Sequence, residues 1–277
     1  MKVKLSRHAG FCFGVKRAIN TALKANSVSG SVYTYGPIIH NPQVVKDFDV
    51  KGIKAVEDLK KVKSGSTIII RTHGVPPGVE RQFKTKKLKV IDATCPFVKK
   101  PQEYVRQLER DGYTPVIIGE AEHPEVIGIK GYGGKRTIVV GTAEEAAKIR
   151  SVRKMGIVVQ TTQSGSNFLA IMNVLSGKSM EFRILNTICN ATHERQDSAL
   201  KLAGEVDIMI VVGGKNSANT KHLAEVCETT GVETRHIESA SELQTAWFRG
   251  KKTAGVTAGA STPDWIIKEV AESIKKL

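Results

Sequence analysis

The chain has 277 residues, room for two ordinary domains or several small α/β units, of which 40% are hydrophobic and 25% charged, close to soluble globular averages. No apolar run approaches the ~20 residues of a membrane span, and Met1–Arg7 (MKVKLSR) lacks the apolar core of a secretory signal, so a cytoplasmic protein with no membrane partner is expected. Lys and Arg number 42 against 27 acids, a net charge of +15 that favours nucleic acid, a phosphorylated metabolite or an acidic protein as partner.

Taken in order, the first β-like run (VKLSRHAGF) reaches Cys12 and is followed by a predicted helix with Val15, Ala18, Ile19, Ala22 and Leu23 at helical spacing. The run VYTYGPII then leads to His40 and a helical NPQVVKDF, and TIIIRTHG ends at His73. The run LKVIDAT reaches Cys95 before a helix in PFVKKPQEYVRQLER. PVIIGEAE leads to His123 and PEVIGI, TAEEAAKIR opens like a helix with Thr ahead of acids, and GIVVQTTQS contains Thr161. The run FRILNTI reaches Cys189, and the helix that follows carries an apolar stripe of Ala199, Leu202, Ala203 and Val206. IMIVVGGKN leads to Ser217 and TKHLAEVCETTG, and TAGVTAGAS ends at Ser261.

These segments repeat. His40, His123 and Ser217 each lie 28 residues after a cysteine (40 − 12, 123 − 95, 217 − 189), while His73, Thr161 and Ser261 lie 61, 66 and 72 residues after the same cysteines. Alternating strands and helices predict parallel sheets with right-handed crossovers. The fold class expected is α/β, with three similar α/β units arranged around a pseudo-threefold centre. The division expected is residues 1–94 (Cys12), 95–188 (Cys95) and 189–277 (Cys189). No Pro/Ser-rich linker separates the copies, so the three cysteines are expected to converge. In such folds functional residues gather beyond the carboxyl ends of strands, where all nine repeated positions fall.

Four cysteines in a chain this long are no disulfide framework. Cys227 shares a helical stripe with Leu223 and Val226 and reads as a buried apolar residue. Three converging thiolates would leave a tetrahedral metal or a cubane cluster one open position, which marks a catalytic site. Zinc stays open: HPE at 123–125 matches half of the zinc deaminase signature, although its P-C-x-x-C is absent. Iron–sulfur stays equally open, because the spacing fits none of the sequence-local ferredoxin patterns. A single activated cysteine nucleophile would leave the other two unexplained.

His40, His73, His123, Ser217, Asn219 and Ser261 form a set of neutral donors near helix N-termini, suited to a diphosphate. No G-x-x-x-x-G-K-[ST] loop exists, which argues against nucleotide hydrolysis. Glu125 is the one acid among these positions, and a closed pocket near an anionic ligand would raise its pKa toward proton donation. With 5% aromatics and no recognisable nucleic-acid module, nucleic acid is not expected as a partner.

The segments GFCFGVKRAI, GPIIHNP, THGV, DATCPFV, EHPEV, QTTQS, CNATHERQ, VVGGKNSANT and TAGASTPD resemble, in order and from about residue 5 to the end, the motifs of the IspH/LytB family of 4-hydroxy-3-methylbut-2-enyl diphosphate reductases. The resemblance implies one [4Fe–4S] cluster held by Cys12, Cys95 and Cys189, with one iron not ligated by protein. It implies reductive dehydroxylation of an allylic diphosphate to isopentenyl and dimethylallyl diphosphates, the last step of the non-mevalonate isoprenoid pathway. Glu125 then matches the proton donor and Thr161 the residue that organises the proton path. His40, His73, His123, Ser217, Asn219 and Ser261 match the diphosphate site, and Thr192 a residue near the substrate hydroxyl. Reduced ferredoxin or flavodoxin, both acidic, is the implied electron donor. Ala218 departs from members with a second serine at that position, and Phe13 also differs from some members.

Overall fold

The computed structural model describes all 277 residues. The first part of the chain forms β1 (Lys2–Leu5), α1 (Phe13–Val28), β2 (Val32–Tyr35), α2 (Pro42–Val50), β3 (Ile53–Val56), β4 (Thr67–Ile70), α3 (Pro77–Thr85) and β5 (Lys89–Asp92). The middle part forms α4 (Pro96–Arg110), β6 (Thr114–Ile118), α5 (Pro124–Tyr132), β7 (Ile138–Val140), α6 (Ala143–Ala147), β8 (Val152–Val159), α7 (Gly165–Leu175) and β9 (Ser179–Leu185). The last part forms α8 (Asn190–Ala203), β10 (Ile208–Val212), α9 (Ala218–Glu228), β11 (Glu233–Ile237), β12 (Thr253–Ala258) and α10 (Asp264–Lys275).

Twelve strands pair in three four-stranded sheets, ordered β3-β2-β4-β5, β7-β6-β8-β9 and β11-β10-β12-β1. Every pairing is parallel. The α/β class expected from the alternating pattern is therefore observed, and the three sheets share one order. In each, the first strand after a cysteine helix (β2, β6 or β10) is an inner strand, and the strand that runs into a cysteine (β5, β9 or β1) is an edge. The third sheet obtains that edge from the other end of the chain. Residues 2–5, counted in sequence with segment 1–94, pair with β12 in the register Lys2↔Thr253 to Leu5↔Val256. Each cysteine helix is thus the connection from one sheet to the next: α4 leads from β5 to β6, α8 from β9 to β10, and α1 from β1 to β2.

Strand sequences explain how the sheets are covered. Parallel strands buried on both faces read as continuous apolar runs, as in PVII of β6 and IMIVV of β10. Val116 and Ile118 point to one core with Met155, Ile157 and Ile171, while Ile117 points to another with Val105, Leu108 and Ile129. In β10, Ile208, Ile210 and Val212 pack with Ile266, Val270 and Ile274 of α10. Its other face, Met209 and Val211, meets Ala199, Leu202 and Cys227 from α8 and α9. The period-2 alternation of the strand and the i, i+3 stripe of α8 meet in that layer.

Contacts divide the chain into two compact units. One comprises Met1–Lys16, Ile39–Lys46 and Cys189–Leu277 and holds the third sheet; the other comprises Arg17–Ile38 and Asp47–Ile188 and holds the first two. No helix is long and apolar enough to cross a membrane.

Candidate functional site

The three cysteines occupy equivalent turns. Cys95 and Cys189 are the N-cap residues of α4 and α8, in extended backbone conformation and with no side-chain capping bond. Cys12 precedes α1, and its carbonyl accepts from Lys16 N–H at 3.0 Å, the first helical bond. A thiolate there meets the positive end of a helix dipole. All three are half-buried and in no disulfide, whereas Cys227 is fully buried and burial pushes its thiol pKa up to about 12. The chemistry divides accordingly. Cys227 is an inert core residue, and the other three are thiol donors at helix starts.

In the unit that holds the third sheet, Cys12, His40, Cys189, Thr192, Ser217, Asn219 and Ser261 occur together. The amide of Cys12 donates to Ala260 O at 3.2 Å, which ties the cysteine to the turn bearing Ser261. The Ser261 hydroxyl donates to His40 O at 3.2 Å. That approach needs a bare backbone opposite it: a Cβ on Gly214 would lie 2.5 Å from His40 O. Ser217 caps α9, accepting from Thr220 N–H at 3.4 Å. Asn219, on the first turn, is buried with its Nδ2 lacking a hydrogen-bond partner. A buried orphan donor at a helix N-terminus fits an anion. Ala218 is the first residue of α9, so its backbone N–H belongs to the same end group where a serine side chain is missing. Thr192 is buried, with Oγ1 3.1 Å from Cys189 Sγ.

In the other unit, His73, Cys95, His123, Glu125 and Thr161 occur together. The Cys95 amide donates to the carbonyl of Thr72, the neighbour of His73, at 3.0 Å. Arg17 Nη1 donates to Thr94 O at 3.0 Å, steadying the turn from its other side. The rings of His73 and His123 meet edge to face, 5.3 Å apart with planes at 90°. His123 caps α5, its Nδ1 accepting from Glu125 N–H at 3.1 Å. A neutral imidazole that accepts at Nδ1 carries its hydrogen on Nε2, so His123 is preset as a donor.

Glu125 is the most buried acid of the site, 1% exposed. Its two carboxylate oxygens accept from Thr161 N–H at 2.7 Å and Thr161 Oγ1–H at 2.8 Å. Burial raises its pKa to about 7, and the two Thr161 bonds hold it from rising further. The elevated pKa expected in a closed pocket is therefore present, and its cause is desolvation alone, with no anion needed. A carboxyl group poised there can give up a proton near neutral pH.

Sequence reasoning missed Arg195. It lies inside the CNATHERQ segment, yet a charged residue in mid-helix gives no local signal of burial. It is 4% exposed, with Nη1 donating to Ala191 O and Nη2 to Gly10 O, both at 2.7 Å.

Fold and site together define an α/β protein with half-buried thiols at equivalent helix starts, His, Ser and Asn side chains near helix N-termini, and one buried carboxyl of raised pKa. The family model for "LytB protein" matches residues 3–275. The chain is 51% identical to the 4-hydroxy-3-methylbut-2-enyl diphosphate reductase of Pelobacter propionicus, covering all of this chain and 99% of that protein. It is equally 51% identical to the enzyme of the same name from Geotalea uraniireducens, covering 100% and 98%. A solved (E)-4-hydroxy-3-methyl-but-2-enyl diphosphate reductase is 48% identical over the full length of both chains, with a TM-score of 0.72. The corresponding reductase from Plasmodium falciparum is 30% identical, covers 98% of this chain and 87% of that one, and has a TM-score of 0.95. The chain belongs to the LytB family.

Proposed function

We propose that this protein is an iron–sulfur reductase that converts (E)-4-hydroxy-3-methylbut-2-enyl diphosphate to isopentenyl and dimethylallyl diphosphates. The reaction breaks the allylic C–O bond, consumes two electrons and two protons, and releases water. The observation that carries the reading is the recurrence of a half-buried cysteine where the same edge strand of each sheet meets a helix. Full-length likeness to reductases of this name supports it.

The donor set fits a cluster: three thiols outside any disulfide, at positive helix ends. Cys12, Cys95 and Cys189 would hold a [4Fe–4S] cluster with one iron free of protein ligands, which supplies electrons and a Lewis-acidic position for the departing oxygen. The remaining steps belong to the chain's own side chains. Asn219 Nδ2, Ser217, Ser261 and the start of α9 receive the diphosphate, joined by the imidazoles of His40, His73 and His123. None of these groups is a lysine or arginine, so they orient the anion without a permanent counter-charge. Glu125, protonated in part at pH 7, gives the proton that turns the leaving hydroxyl into water. Thr161, bonded to both its oxygens, fixes its direction and relays its reprotonation. Thr192, whose Oγ1 lies 3.1 Å from Cys189 Sγ, would meet the substrate hydroxyl. An acidic one-electron carrier such as ferredoxin or flavodoxin serves as donor.

Anaerobic purification followed by iron, sulfide and zinc assays tests this reading. About four irons per chain are expected, with turnover of the allylic diphosphate. Stoichiometric zinc without iron overturns it in favour of a zinc hydrolase. Cys12→Ser, Cys95→Ser and Cys189→Ser each lower the iron content, while Cys227→Ser leaves it unchanged.

A further inference from the structure

We propose that Arg195 is a positioning residue that fixes the turns bearing Cys12 and Cys189 and, as a buried cation bonded to both turns, raises the reduction potential of the cluster they hold. The proposal rests on the iron–sulfur reading above. Arg195 lies on α8, six residues after Cys189. Its two carbonyl partners flank the ligand turns: Ala191 comes two residues after Cys189, and Gly10 two residues before Cys12. One guanidinium therefore spans two cysteines that are 177 residues apart (189 − 12).

Parallel bonds lace the same loop to the same helix. The hydroxyl of Ser198, three residues beyond Arg195, pairs with that of Ser6 and accepts from His8 N–H at 3.4 Å. Gly10 completes the arrangement. It has φ +91°, and a Cβ there would meet Asp264 Oδ1 at 2.9 Å, so only glycine presents its carbonyl to Arg195 in this way.

The charge matters as much as the bonds. Burial pushes the Arg195 pKa down from its ordinary value, opposed by the thiols of Cys12 and Cys189 and then by Glu194. An arginine still holds its proton under such pressure. Its Nε is buried without a hydrogen-bond partner, and a thiolate or sulfide sulfur is an acceptor of the kind it lacks. Reduction adds a negative charge to a cluster, so a fixed buried cation close by favours the reduced form.

The test compares wild type, Arg195→Gln and Arg195→Lys as anaerobic holoproteins, reading iron content, midpoint potential by mediated titration, and the rate of iron loss to a chelator. Arg195→Gln is expected to show a more negative potential than wild type. Arg195→Lys, which keeps the charge but not the two-armed grip, is expected to keep the wild-type potential and lose iron several-fold faster. If Arg195→Gln retains no iron, the Lys variant decides alone, because a lowered potential there overturns the electrostatic role. Equal potentials in all three proteins overturn it as well, and unchanged chelator kinetics in Arg195→Lys overturn the positioning role. Wild-type protein without iron instead refutes the cluster reading itself.

Discussion

Glu125 combines two opposing influences in a few ångströms: removal from water favours its neutral form, and two donors from Thr161 favour its charged form. Desolvation wins, leaving the pKa at about 7. Glu125→Gln keeps the shape and removes the proton. Turnover is expected to fall by roughly 10²–10⁴-fold with iron content unchanged, and near-normal turnover would refute the proton-donor role. The same shift has a stability consequence. The native carboxyl binds its proton more tightly than the unfolded one, so its contribution is full below pH 4.5 and is lost as pH rises through about 7. The loss is roughly 3 kcal/mol. Chemical denaturation of the apoprotein at pH 5 and pH 8 should show the wild type falling by that order relative to Glu125→Gln. Thr161→Val removes the hydroxyl donor and so lets the Glu125 pKa climb. Turnover that needs the protonated acid declines as pH rises through about 7 in wild type, and in Thr161→Val the decline moves to higher pH. A kcat–pH profile with that limb unmoved would show that the Thr161 hydroxyl does not act through Glu125.

At the scale of elements, function depends on what strand ends hand to helix starts. Ser217 and His123 cap their helices, and Cys95 and Cys189 occupy N-cap positions without capping. These assignments were legible in the sequence because a cap, a strand end and a helical stripe are all local patterns. Close approach between loops was not legible, since it depends on a partner far along the chain. Gly214 illustrates this: it sits 2.5 Å, at the Cβ position, from the carbonyl of a residue 174 positions earlier (214 − 40). Gly214→Ala must push the His40 turn away from Ser261, at a cost of about 1–3 kcal/mol. A raised KM for the diphosphate with normal iron content is expected, and steady-state kinetics on the reconstituted variant measures it. An unchanged KM and an unchanged denaturation midpoint would show that the turn has room.

The whole molecule carries +15, yet the donors assigned to the diphosphate are His, Ser and Asn. On the proposed reading the excess charge would act at range, as a field that speeds encounter with an acidic electron carrier. Reduction by a flavodoxin or ferredoxin is expected to slow several-fold as ionic strength rises from about 0.05 to 0.5 M, because the screening length shortens. Stopped-flow rates that ignore salt would remove steering from the account.

The sequence by itself determined the α/β class, the threefold recurrence, the three cysteines on strand-to-helix turns and the polar residues at strand ends. All of these follow from periodicity and from residue types within a few positions of one another. Only the tertiary structure decided that Lys2–Leu5 forms the edge of the third sheet, that Arg195 is buried between two cysteine turns, and that desolvation brings the Glu125 pKa to about 7. The reason is physical. A strand's partner, a buried ion's acceptors and a carboxyl group's loss of water are set by groups distant in sequence, and their free energies exist only once the chain has folded around them.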